Sequence, residues 1–95
     1  MAEKFIEHRH AEGDEVIQIR IFKFEPSQNQ PEGYSYSLVY VKNGKRLVGY
    51  DNFEGHTKGS NNHHKHINEK VIEYIFVDIW RLIEDFNQDV ERVKR

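Results

Sequence analysis

The chain contains no cysteine. That excludes disulfide staples and thiolate zinc sites, and it agrees with a reducing compartment. No apolar run is long enough to cross a bilayer, for which about 20 residues are needed. Met1-Ala2-Glu3-Lys4 lacks the apolar core of a signal peptide, so the expected location is the cytoplasm. Proline is scarce: its two occurrences both fall between Glu25 and Gly33, and with the neighbouring glycine, serine and asparagine they make that stretch a loop. There is no internal repeat, no low-complexity tract and no His-Glu-x-x-His, so neither a solenoid nor the familiar helical zinc motif is in view.

What is present is a single domain, 1–95, with about a third of its residues charged. A chain of this size supports one core, expected here as one sheet covered on one face. The net charge of −2 hides an asymmetry. Residues 34–70 carry six basic and three acidic side chains plus four histidines, whereas the flanking segments are acidic. A basic middle between acidic ends suits an anionic partner for that segment.

Residues 4–11 and 15–24 read as strands joined at Gly13-Asp14. That turn sets Glu7 opposite Arg20 and Ile6 opposite Ile21, a charge pair and a core pair. It also sets His8 and His10 opposite Ile19 and Ile17, at the buried side or its rim. Asn43-Gly44 is the strongest local signal, since both residues accept positive φ in a two-residue hairpin turn. It joins strands Tyr34–Lys42 and Lys45–Asp51, with Tyr40 expected opposite Leu47 and Tyr36 opposite Asp51. Tyr36, Leu38, Tyr40 and Leu47 then share one face, and Val39, Val41, Val48 and Tyr50 the other. Both faces are apolar enough that the sequence does not choose which one meets the helix, and the second could meet another subunit as a homodimer.

After Asn52 the strand pattern is expected to give way to a long polar loop, resuming as a last strand over Val71–Phe76. Asp78 is placed to cap a helix, with Val77 and Leu82 spaced as a hydrophobic staple. Ile79, Leu82, Ile83, Phe86, Val90 and Val93 form the apolar stripe of roughly four helical turns. Trp80 lies off that stripe, lapping a sheet edge or marking a partner surface. The expected architecture is α+β: a meandering antiparallel sheet of about five strands with one C-terminal amphipathic helix packed on it.

The stretch that carries chemistry runs from Gly49-Tyr50-Asp51-Asn52 to His63-His64-Lys65-His66. Together with Tyr36-Ser37-Leu38-Val39-Tyr40-Val41, Asn43-Gly44 and the closing Leu82-Ile83-Glu84-Asp85-Phe86 and Asp89-Val90, it resembles the TumE family of toxins from type II toxin–antitoxin pairs. The resemblance covers nearly the whole chain, and its most specific parts are Gly-Tyr-Asp-Asn and His-Lys-His. It departs from the family pattern in a longer intervening loop and in His63. It implies a toxin whose partner is a cognate DNA-binding antitoxin.

The residues themselves allow three kinds of action. The first is metal-independent cleavage of RNA, an endoribonuclease activity. His64 and His66 would serve as base and acid, because an imidazole titrates near working pH. Tyr50 would stack on a base or hold a phosphate, and Asp51 would orient a histidine. Cations for phosphate would come from Lys45, Arg46, Lys58 and Lys65. If the segment is locally extended, His64 and His66 share a side and Lys65 points away. The second is a metal site drawn from His56, His63, His64 and His66, with Asp51 or Glu54 to complete it; imidazole donors suit zinc or nickel. The third is binding alone, to RNA or to a protein, and a solvated polar loop without chemistry is the bland alternative.

Overall fold

The tight connections of the sheet turn on residues with positive φ: Gly13 at 60°, Asn43 and Gly44 at 55° and 75°, and Asn68 at 56°. Glycine and asparagine reach that region at least cost. The structure is a computed structural model, and it describes residues 3–26, 33–52 and 63–94. Strands β1 (Glu3–Glu12), β2 (Glu15–Lys23), β3 (Tyr34–Lys42), β4 (Lys45–Asp51), β5 (His64–Ile67) and β6 (Lys70–Glu73) precede one helix, α1 (Ile79–Lys94). The strands lie in the sheet in chain order, each antiparallel to the next. The class is therefore α+β, with six strands among the described residues rather than about five.

The first hairpin has the expected register, Glu7 against Arg20 and Ile6 against Ile21. His8 and His10, however, are exposed, because β1 is an edge strand that α1 leaves largely uncovered. The second hairpin corrects the expected register. Val41 pairs with Arg46 but Tyr40 pairs with Val48, so Leu47 is an extra residue on β4. Such a bulge reverses the facing of everything beyond it. Tyr50 therefore comes opposite Leu38, and Asp51 opposite Ser37 rather than Tyr36.

That reversal selects the buried face. Ile19, Ile21, Tyr36, Leu38, Tyr40, Val48 and Tyr50 of the sheet meet Ile79, Leu82, Phe86 and Val90 of α1. The helix starts where expected, the Asp78 carboxylate accepting the Arg81 amide at 2.8 Å. Val77 is 65% exposed and does not act as the expected staple. Trp80 is also exposed, with its ring 6.4 Å from that of Phe5 on edge strand β1. No helix among the described residues is long and apolar enough to cross a membrane.

A second correction concerns the segment after Asn52. His64–Ile67 is a strand, paired with β4 on one side and β6 on the other. Propensity missed it because His-Lys-His-Ile carries one apolar residue in four, too few for a visible alternation. Its partners supply the missing specification. Phe53 to Asn62, which include His56, Lys58 and Glu54, lie outside the described residues.

Candidate functional site

Each residue of Gly49-Tyr50-Asp51-Asn52 has a separate task. Asn52 is fully buried, its side chain accepting the Tyr36 amide at 3.0 Å and donating to the Tyr34 carbonyl at 2.7 Å. It thus ends β4 by tying the chain to the start of β3. Asp51 pairs across the ladder with His64, Tyr50 with Lys65 and Gly49 with His66. Side chains alternate along a strand, so Asp51, His64 and His66 share the face away from α1, while Tyr50 and Lys65 share the helix face.

On the open face, His64 Nε2 lies 2.7 Å from Asp51 Oδ1, and His66 Nε2 lies 3.7 Å from Asp51 Oδ2. The two imidazoles stand edge to face with centroids 5.1 Å apart. One ligand atom from each of the three residues falls within 4.8 Å of the other two. His64 is buried, and Asp51 and His66 are partly so. Asp51 Oδ1 is buried yet receives no directed hydrogen bond from the described residues.

The cations beside this cluster come from the sheet. A Cβ on Gly49 would meet Arg46 Cδ at 3.1 Å and Nε at 3.3 Å, so the bare glycine is what lets the guanidinium lie flat across β4. Ser37 stands between Asp51 and Arg20 in the ladder. Two strand spacings put the Arg20 backbone about 10 Å from that of Asp51. Arg20, Ser35 and Ser37 line a shallow cleft of about 160 Å³. Arg20 also approaches Glu7 at 3.6 Å.

The helix face carries a different network. Tyr50 donates its hydroxyl to Asp89 Oδ2, and Lys65 Nζ reaches the same oxygen at 3.0 Å. Arg92 approaches Asp89 Oδ1 at 3.2 Å. Asp89 is 5% exposed, so it is a buried carboxylate with each oxygen served. Burial first, and the Asp89 hydrogen bond second, push the Tyr50 phenol up from its usual range.

Two other phenols behave likewise. Tyr74 is raised by burial and by its 2.7 Å bond to Asp85. Tyr40 is pushed up to about 12, chiefly by the hydrogen bond it donates to Glu15. All three ionise less readily folded than unfolded, so their contribution to stability is complete below about pH 10, the usual tyrosine range. It is then lost as pH rises through the folded values. Tyrosinate absorbance followed with far-ultraviolet dichroism should show these phenols ionising only as the fold melts. Titration of all tyrosines near pH 10 in a folded protein would contradict this.

The expected site residues are therefore divided. Asp51, His64 and His66 come together, with Arg46 lying over Gly49 on the same strand as Asp51; Tyr50 and Lys65 turn to the helix. His63 joins neither group: its ring stacks on Phe76 at 4.9 Å and Tyr36 at 5.6 Å, with Nδ1 2.7 Å from the Tyr36 hydroxyl. Lys45 is exposed at the hairpin turn. The sequence points to Asp89 only through the family resemblance and to Arg20 only as the partner of Glu7, and to neither as a site residue. Asp89 had a visible signal, since it lies three residues after Phe86 and next to Val90, inside the apolar stripe.

The family model described as Toxin TumE matches residues 9–94. No curated protein and no solved structure gives a match.

Proposed function

The chain belongs to the TumE toxin family, and from that premise we propose that it acts on RNA as an endoribonuclease through the open face of its sheet. The observation that carries this reading is the convergence of two imidazoles and a carboxylate, with the Arg46 guanidinium laid over Gly49 nearby. In ribose-assisted cleavage the 2′-oxygen attacks phosphorus as its proton leaves to a base. The bond from phosphorus to the 5′-oxygen breaks, and that oxygen takes up a proton. A 2′,3′-cyclic phosphate and a free 5′-hydroxyl result. In this reading His64, 2.7 Å from Asp51, takes the base role, and Arg46 meets the phosphate charge.

Two forms of this chemistry are open to these groups. In the metal-independent form His64 keeps the proton it takes from the 2′-oxygen, and His66, on the same face of the sheet, donates its own proton to the leaving oxygen. In the other the three side chains act through a bound ion. The partner proposed with either form is a cognate DNA-binding antitoxin, and the setting is the cytoplasm, where transcripts are reached. A homodimer through exposed apolar residues is part of the same proposal, checked by sedimentation.

Induced expression tests the reading directly. Wild type should arrest growth and shorten transcripts, and a His64→Ala/His66→Ala variant of equal abundance should do neither. Intact transcripts in arrested wild-type cells would move the action away from RNA.

A further inference from the structure

We propose that Asp51, His64 and His66 hold one divalent transition-metal ion of the zinc class. The proposal rests on the choice of site made above and deepens it. It replaces direct proton transfer by the imidazoles with chemistry at an ion they share.

Four observations support it. First, the donors are mounted on paired strands and not on a loop. Asp51 and His64 face each other across the ladder, and His66 is two residues further along the same side. Backbone hydrogen bonding thus preorganises all three. Second, the separations suit a common ion. Donors about 2.0–2.2 Å from a tetrahedral zinc stand roughly 3.3–3.5 Å apart. The Asp51 carboxylate lies 2.7 Å from His64 through Oδ1 and 3.7 Å from His66 through Oδ2, and one ligand atom from each of the three residues falls within 4.8 Å of the other two.

Third, Asp51 Oδ1 is a buried acceptor without a directed donor from the described residues. Burying an acceptor without a donor is unfavourable, and a cation between that oxygen and the two imidazoles would satisfy it. Fourth, two nitrogens and one carboxylate form the donor set of open catalytic zinc centres, whereas closed structural sites use four protein ligands. Imidazole nitrogen also disfavours magnesium and calcium, which take oxygen.

Two neighbouring features are excluded by the same geometry. His63 is committed to the aromatic stack on the helix side, and Lys65 is bound to Asp89. Asp51, His64 and His66 would hold the ion, and Arg46, lying over Gly49 opposite His66 in the ladder, would add positive charge near it for a phosphate.

The test uses untagged full-length protein, stripped with EDTA and dialysed, then titrated calorimetrically with zinc sulfate. Cobalt chloride serves as a spectroscopic probe. Wild type should take up one equivalent of zinc and give the visible bands of tetrahedral cobalt. Asp51→Ala, His64→Ala and His66→Ala should each lower zinc affinity about 100-fold or more and abolish those bands. His8→Ala/His10→Ala should change neither. Dichroism of the metal-free proteins separates ligand loss from unfolding, and Asp51→Asn, which keeps the size of the side chain, serves if Asp51→Ala fails to fold. Absence of stoichiometric zinc in wild type, or its retention in all three variants, would overturn the proposal. Uptake of zinc without RNA cleavage would overturn only the RNA reading, and RNA cleavage undiminished in EDTA only the metal.

Discussion

Asp89→Ala is expected to lower the free energy of unfolding by about 3 kcal/mol, toward the lower end of what breaking a buried ion pair costs. The loss has two sources. Lys65, with its side chain 23% exposed, would keep a half-buried ammonium without its counter-charge, and the Tyr50 hydroxyl, fully buried with its ring, would lose its acceptor. Against a total stability of about 5–15 kcal/mol for a domain of this kind, the change is large. Asp89→Asn, which retains an acceptor, should cost less. Replacing both partners, Lys65→Met with Asp89→Leu, should recover much of the loss, since a buried pair is worth little more than well-packed apolar side chains. Urea denaturation of the four proteins measures this. A cost under about 1 kcal/mol for Asp89→Ala would mean that water already screens the pair.

His64→Ala should reduce RNA cleavage about 10²–10⁴-fold, the usual worth of a positioned proton-transfer group, while leaving the fold in place. Asp51→Ala should approach the same loss, because Asp51 meets both imidazoles and so serves every form of the chemistry. Arg46→Ala should act differently, weakening RNA binding and flattening its salt dependence by about one phosphate contact. Initial rates on a defined oligoribonucleotide, with dichroism as control, distinguish these outcomes. Wild-type cleavage by folded His64→Ala would remove the open face from consideration. The Asp89 variants supply the contrast, since they should lose activity only in proportion to the unfolded fraction.

Much of this was readable from residue order alone, where local chemistry decides structure. Gly13-Asp14 and Asn43-Gly44 specify their turns through backbone freedom, and the Glu7–Arg20 register follows from the first of them. Asp78 and the stripe from Ile79 to Val93 specify the helix through capping and period. The alternation of His64, Lys65 and His66 puts both imidazoles on one side only on condition that the segment is extended, a condition that its pairing with β4 and β6 meets. What was hidden depended on neighbours distant in the chain. His64–Ile67 is a strand because β4 and β6 flank it, and its own composition gives no such sign. Tyr50 looked like a group for binding RNA because nothing nearby in sequence announces that Asp89, 39 residues later, receives its hydroxyl. Gly49 stands in the Gly-Tyr-Asp-Asn quartet with no task of its own visible in the sequence, whereas in the fold the Arg46 side chain lies over it.

The extra residue at Leu47 has an effect out of proportion to its size. Facing along a strand is a two-valued property, so inserting or removing one residue interchanges the two sides for everything downstream. With Leu47 deleted, β4 could keep its hairpin only by turning Asp51 into the apolar interior and Tyr50 out to solvent. The parity of a five-residue run, Lys45 to Gly49, thus decides which half of the Tyr-Asp pair is turned to the helix and which joins the two histidines.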